Sequence, residues 1–76
     1  MYRHLVLQKT DKKLREAIVS RKKLLIKYQK PDLQISQRVI IPINIKGKNL
    51  LAFCTSKQEQ RSFNIERILE IENFND

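Results

Sequence analysis

The sequence predicts a mainly β domain with one N-terminal helix, and we expect its strands to form a small five-stranded antiparallel barrel. Apolar residues first recur at helical spacing, and from Leu24 onward they alternate with polar residues at every second position. Turn-forming segments then separate about five short extended runs. A meander of this size usually closes into a barrel, because closure removes its exposed edges.

A chain of 76 residues makes one domain with a thin core. Cys54 is its only cysteine, so no disulfide supports the fold, and its apolar neighbours predict a small buried side chain in a reducing compartment. No apolar run approaches the roughly 20 residues of a membrane span, and the N-terminus lacks the features of a secretory signal. We therefore expect a cytoplasmic protein with no membrane partner.

The predicted helix covers residues 10–23 and presents one narrow apolar stripe. That stripe consists of Leu14, Ala17 and Ile18. The alternation of apolar and polar residues within residues 1–9 is too short to distinguish a short strand from a tail. Residues 10–76 are expected to form a single domain, with its strands spread over residues 24–74.

Pro42 lies within an extended run; it cannot donate a ladder hydrogen bond and so predicts an edge or a bulge. The segment KGKN, with the only glycine, predicts a hairpin turn. Residues 64–74 fit a strand or a short helix, and we favour a strand with one helical turn near residues 66–68. The side chains expected in the core are Ile41, Ile43, Phe53 and Phe63.

The net charge of +8 is concentrated in the first part of the chain. Residues 1–30 carry ten lysines and arginines against two acidic residues, whereas residues 58–76 carry two against five. A positive field of this strength on so small a body predicts a polyanionic or acidic partner. The alternative is that the charge serves only solubility, or balances acidic neighbours in a longer chain.

Four segments occur in the order of a known family's landmarks. They are AIVSRKKLLIKY, ending at Tyr28; RVIIPINI, with Arg38 and Pro42; GKNLLAFC; and RSFNIERI, with Arg61, Phe63, Arg67 and Ile68. The chain thereby resembles the WYL domain, a small Sm-like or SH3-like barrel found in bacterial transcription regulators and some CRISPR-associated proteins. It departs from the naming triplet, since Asn49 and Leu50 stand where the family has Trp and Tyr, and only Leu51 remains.

The resemblance implies a regulatory module that senses single-stranded RNA or DNA, or a nucleotide-like ligand, through a basic patch. On this view the anion contacts are Arg61, Arg67, Arg38 and Lys48. An auxiliary basic surface would comprise Lys22, Lys23 and Lys27. Two alternatives stay open: Arg67 pairs with a neighbouring glutamate, and the lysines form an ordinary solvated face. Tyr28 and Phe53 are likewise open to base stacking, although core packing is favoured.

A catalytic role is not expected, because the sequence has no triad, phosphate loop or cluster of metal ligands. We expect no catalytic residue, no metal and no cofactor. The expected role is a non-enzymatic binding module in transcriptional or defence-related regulation. The alternative is a protein–protein interaction or oligomerisation module, such as a homodimer, whose interface would include Leu50, Ile40 and the segment ILEI (residues 68–71). Since the sequence contains no helix-turn-helix, we expect a stand-alone module or a piece of a larger regulator.

Overall fold

Within residues 2–74, which the computed structural model describes with side chains from residue 10 onward, the chain forms one helix and five strands. The elements are helix α1 (Tyr2–Ser20), strands β1 (Leu24–Gln29), β2 (Ile35–Lys46), β3 (Asn49–Cys54) and β4 (Glu59–Asn64), a 3₁₀ turn (Ile65–Arg67) and strand β5 (Ile68–Asn73). The described strands pair antiparallel in the order β4-β3-β2-β1-β5. The predicted mainly β class with one N-terminal helix is confirmed.

The expected closure of the barrel is wrong, because the sheet is open. Strand β2 pairs with β1 through residues 35–40 and with β3 through residues 40–46, so it joins the two halves of the sheet. No ladder joins β4 to β5 within residues 2–74. The 3₁₀ turn redirects the chain between these two strands, and each of them keeps one free edge.

Helix α1 runs from Tyr2 to Ser20, so both boundaries of the predicted helix are wrong. Residues 2–9 are helical rather than a strand or a tail. At the other end, Arg21 adopts a left-handed conformation (φ 55°), and the Lys22 N–H donates to the Ala17 carbonyl at 3.1 Å. This is the Schellman arrangement, which ends a helix with a left-handed residue. Lys22 and Lys23 therefore lie beyond the helix.

One hydrophobic core lies on the inner face of the sheet, where α1 packs across β2. Its members come from the helix, all five strands and the 3₁₀ turn: Leu14, Ala17, Leu24, Ile26, Ile40, Leu50, Ala52, Phe63, Ile65 and Ile68. Leu50 and Ile40 have no exposed surface. The predicted placement of these two residues in a protein–protein interface is therefore wrong, whereas Leu69 of the ILEI segment is 47% exposed.

Strand β2 buries the opposite face from the one predicted. Ile40 and Pro42 point inward, Ile41 is half-buried, and Ile43 is 38% exposed. The ladder with β3 shifts register between Pro42 and Asn44, and this bulge returns Ile45 to the core. The alternation of residues along β2 does not identify its buried face, because both faces contain apolar residues. A bulge also changes which residues point inward along the strand.

Of the other predicted core residues, Phe63 is buried and Phe53 is half-buried. The helical turn expected near residues 66–68 is present as the 3₁₀ turn at Ile65–Arg67, and the strand favoured for the last segment is β5. The Asn64 side chain caps this turn by accepting a hydrogen bond from the Glu66 N–H at 2.9 Å.

Replacing Phe63 by alanine should cost about 3–5 kcal/mol of unfolding free energy, because a large buried ring leaves a cavity. That loss is comparable to the total stability of a domain this small. Ile43→Ala is the matched control and should cost less than about 1 kcal/mol, since Ile43 lies at the exposed bulge. Chemical denaturation of the two variants measures both values; equal losses would contradict this assignment of the core.

Candidate functional site

Two of the predicted anion-binding arginines lie on the inner face of the sheet. Arg38 is opposite Ile26 in the β1–β2 ladder, and Arg61 is opposite Ala52 in the β3–β4 ladder. Both partners are fully buried core residues. Since side chains two residues apart share a face of a strand, Arg61 also points to the same side as Phe63. Neither arginine is therefore an ordinary outward-facing strand residue.

The two arginines meet at an open pocket of about 470 Å³ between β4 and the β1–β2 turn. Its lining residues are Tyr28, Lys30, Pro31, Asp32, Arg38, Arg61, Ser62 and Phe63. Three cationic side chains and one carboxylate are thus present among the described lining residues. The volume falls within the range of about 300–1,000 Å³ typical of small-molecule sites.

The Arg61 guanidinium is held by Glu59, its neighbour on the same face of β4. Its Nε and Nη2 atoms donate to one oxygen, Glu59 Oε1, at 3.0 and 2.7 Å. Both side chains are about half exposed, at 41% and 53%, so solvent screens this ion pair and its contribution to stability is small. Arg61 is therefore preoriented at the pocket by a contact that an incoming anion can replace at low cost.

Arg38 is fixed by weaker, uncharged neighbours. Its Nε donates to Ser36 Oγ at 3.3 Å, and its Nη1 donates to Cys54 Sγ at 4.0 Å. No carboxylate forms an ion pair with Arg38 among the described residues. Its charge therefore remains available to the pocket.

The Cys54 thiol is buried and free, as the sequence predicts. Burial raises its pKa, but hydrogen bonds with the Ser56 hydroxyl and the Lys57 backbone N–H, together with the Arg38 guanidinium, outweigh burial and hold the pKa below the usual thiol value. Cys54 thus gives Arg38 a soft, polarisable neighbour rather than a purely apolar one.

Tyr28 joins the pocket to the core. Its ring packs edge-on against Phe63, with centroids 5.2 Å apart and planes at 78°, and edge-to-face contact is a favourable aromatic geometry. Its hydroxyl oxygen accepts a hydrogen bond from the Asn64 N–H at 3.0 Å. This bond ties β1 to the end of β4, although the two strands do not pair in the sheet.

Lys48 and Arg67, the other two predicted anion contacts, do not line this pocket. Lys48 forms a 2.8 Å ion pair with Glu66 beside the 3₁₀ turn. Arg67 is half-buried and, within the described residues, makes no ion pair with Glu66, Glu70 or Glu72. The four residues that the sequence groups together are therefore divided between the pocket and the region of the 3₁₀ turn.

The predicted auxiliary lysines also lie away from the pocket. Lys27 is on the outer face of β1 and forms a 3.3 Å ion pair with Glu70 of β5. Lys22 is exposed beyond the helix, and the Lys23 carbonyl accepts a hydrogen bond from the Phe74 N–H at 3.1 Å. Lys27 lies beside Glu70 and Glu72, whereas Lys22 lies beside Lys13 and Glu16, so the structure does not bring Lys22 and Lys27 together.

Sequence reasoning missed Asp32 and Ser62 as site residues. Lys30 and Asp32 belong to the β1–β2 turn (residues 30–34), where the Leu33 N–H donates to the Lys30 carbonyl at 2.8 Å. The segment PDLQISQ (residues 31–37) predicts only a turn or a meandering link, because proline and aspartate are ordinary turn residues. Its position beside β4 depends on long-range packing.

The chain matches the WYL domain over residues 10–73. This chain belongs to the WYL domain family. WYL domains are regulatory, ligand-sensing and non-catalytic modules.

Among solved structures, the domain is similar to part of proteasome accessory factor B/C (PafBC) of Arthrobacter aurescens, with a TM-score of 0.81 and 19% sequence identity. The alignment covers 92% of this chain and 12% of that protein, so this WYL domain spans a small fraction of PafBC's length. At this identity the similarity concerns the fold. No curated protein sequence matches at a significant level, and no helix within the described residues is long and apolar enough to cross a membrane.

Tyr28→Phe should lower the unfolding free energy by about 1–2 kcal/mol, because it leaves the partly buried Asn64 N–H without its acceptor while keeping the ring contact with Phe63. The Asn64 amide should also exchange with deuterium faster. Tyr28→Leu, which removes both contacts, should cost more. An unchanged exchange rate at Asn64 in the phenylalanine variant would show that the hydroxyl contact is absent in solution.

Proposed function

We propose that this WYL domain is a non-enzymatic sensor that binds a nucleotide-like anion or a segment of single-stranded nucleic acid in transcriptional or defence-related regulation. The observation that carries the proposal is the convergence of Arg38, Arg61 and Lys30 on one pocket with an aromatic wall. This combination suits a ligand with a phosphate at one end and a flat aromatic ring at the other.

The phosphate end would be held by the two arginines. A guanidinium presents several N–H donors in a fixed plane, which matches phosphate oxygens in a bidentate manner, whereas lysine offers a mobile point charge. Arg38 has no carboxylate partner among the described residues. To bind a ligand, Arg61 would give up only its solvent-screened ion pair with Glu59. The cost of moving these groups to a ligand is therefore small.

The ring end would lie against the side chains of Tyr28, Pro31 and Phe63, which line the same pocket. Aromatic faces accept any base, so such a wall favours nucleotides without selecting a sequence. This is consistent with the loss of the family's Trp and Tyr at Asn49 and Leu50, because the pocket's aromatic wall comes from other positions.

The remaining basic residues would serve a ligand longer than one nucleotide. The net charge of +8 attracts a polyanion from a distance. Lys48 and Arg67 near the 3₁₀ turn, and three lysines outside the pocket, are proposed as auxiliary contacts for the rest of a nucleic-acid strand. The auxiliary lysines are Lys22, Lys23 and Lys27.

The experiment is fluorescence anisotropy with 5′-phosphorylated pentamers of uridine and of deoxythymidine, and with uridine monophosphate, at several salt concentrations. If three phosphates are engaged, log affinity for a strand should fall against log salt with a slope of about −2. Arg61→Ala should weaken binding about tenfold, through loss of charge-assisted hydrogen bonds, and make the slope shallower by about 0.7. Arg61→Lys should give an intermediate loss.

The control is a double neutralisation, Lys22→Gln with Lys23→Gln, which removes more charge but leaves the pocket intact. It should weaken binding less than Arg61→Ala does. If the double variant abolishes binding while Arg61→Ala changes nothing, the site is the basic surface near the helix end. If no probe binds at low salt, the proposal fails.

Glu59→Gln should tighten binding of the same probes up to about fivefold, because it removes the carboxylate that competes with the ligand for Arg61 and a screened ion pair is worth at most about 1 kcal/mol. Glu70→Gln changes the net charge equally but releases Lys27 on the outer face, so it should have little effect. Equal tightening by both variants would attribute the gain to net charge alone.

A further inference from the structure

Strand β4 is an edge strand, and its register with β3 determines which of its backbone groups are free. The Ile65 N–H donates to the Lys48 carbonyl at 2.8 Å, immediately after the pair Asn64–Asn49. In an antiparallel ladder, hydrogen-bonded and non-hydrogen-bonded pairs alternate. Asn64 therefore begins a series of β4 residues, continuing to Ser62 and Gln60, whose backbone groups point away from β3.

The contact of Asn64 with Tyr28 supports this assignment independently. The Asn64 N–H donates to the Tyr28 hydroxyl oxygen, on the side of β4 that faces away from β3. By the same alternation, the N–H and C=O of Ser62 point to the free edge, where no described strand pairs with β4. Ser62 also lines the pocket. The pocket wall thus contains a backbone donor and a backbone acceptor on one residue.

We propose that the Ser62 backbone N–H and C=O hydrogen-bond to the Watson–Crick edge of an unpaired nucleobase whose phosphate is held by Arg38 and Arg61. This inference rests on the proposed function and identifies what the pocket recognises besides charge. Each nucleobase has a donor and an acceptor side by side on that edge, as in uracil N3–H and O4, and proteins read single-stranded RNA through such edges. In a duplex the edge is already paired, so the site selects unpaired nucleotides.

A free strand edge can also accept an extended peptide, but the edge of β4 suits that partner less well. Strand addition uses a row of consecutive backbone hydrogen bonds. Here the row is interrupted, because the Asn64 N–H is already bonded to Tyr28. A nucleobase needs only one donor and one acceptor, and the adjoining cations Arg38, Arg61 and Lys30 supply the charge that its phosphate requires.

The test uses Ser62→Pro, which removes the N–H while leaving the β3–β4 ladder intact, because proline is tolerated where the N–H faces away from the neighbouring strand. Gln60→Pro is the matched control: it has the same orientation on β4 but lies outside the pocket. Ser62→Ala removes only the hydroxyl. With the 5′-phosphorylated uridine pentamer as probe, Ser62→Pro should weaken binding about three- to tenfold, and the two controls should bind like the parent.

A second arm changes the ligand instead of the protein. A pentamer of N3-methyluridine keeps every phosphate and sugar but loses the N3–H donor and gains a methyl group at the same edge. The parent protein should bind it about three- to tenfold more weakly than the unmodified pentamer. Ser62→Pro removes the contact with O4 and methylation removes the contact of N3–H with the residue 62 carbonyl. Because the two contacts belong to one paired edge, their losses are coupled, and methylation should weaken binding less in Ser62→Pro than in the parent. The methylated probe tests the proposal on the parent protein even if Ser62→Pro does not fold.

The outcomes separate this inference from the proposed function. If the parent protein binds no phosphate-bearing probe, the proposed function itself fails. If it binds the uridine pentamer while Ser62→Pro and the methylated pentamer leave the affinity unchanged, the anion site stands and the backbone contact is overturned. An equal loss in Gln60→Pro and Ser62→Pro would attribute the effect to distortion of the edge and would also overturn it.

Discussion

The inner face of the sheet cannot be apolar throughout, because it carries two arginines, and this constraint shapes the domain. Along β4 the face changes from Phe63, which fills the core, to Arg61, which must stay hydrated or paired. Burying an unpaired charge is far more costly than leaving it in contact with water. A barrel closed over this end would bury Arg38 and Arg61 together. The open sheet leaves both in contact with solvent at the pocket.

Tyr28 makes this arrangement compatible with a stable core. Its ring belongs to the apolar side, packed against Phe63, and its hydroxyl belongs to the polar side, bonded to the Asn64 backbone. The same residue thus fills space in the core, forms a wall of the pocket and holds the end of β4 near β1. Because the core and the site share this residue, the position of the pocket is coupled to the packing of the fold.

Sequence reasoning predicted the fold class and the helical turn before the last strand, because both depend on local periodicity. It failed on the buried face of β2, since apolar residues occupy both faces and the bulge after Pro42 depends on pairing with β3. The arginine pair was predicted through motif resemblance. Arg38 and Arg61 were grouped with Lys48 and Arg67 because all four lie in or beside the family's motifs in the sequence. The position of a residue in a motif does not determine which end of the sheet it occupies.

The assembly of the pocket shows a different limit. Lys30 and Asp32 reach the pocket only because the β1–β2 turn packs near β4, and the contribution proposed for Ser62 comes from its backbone. The type of a residue does not indicate whether its backbone N–H and C=O are free. Whether they are free depends on strand order and register, which are properties of the assembled sheet.

The unpaired edges of β4 and β5 also bear on self-association. A free edge is a template on which another chain can extend the sheet, and charged side chains along the edge oppose that pairing. Glu59 and Arg61 stand on β4, and Glu70 and Glu72 stand on β5. On the proposed binding mode, a ligand that neutralises Arg61 covers the edge of β4 at the same moment. The charge of Arg61, which opposes pairing of β4 with another chain, is thus neutralised while the bound ligand itself blocks that edge.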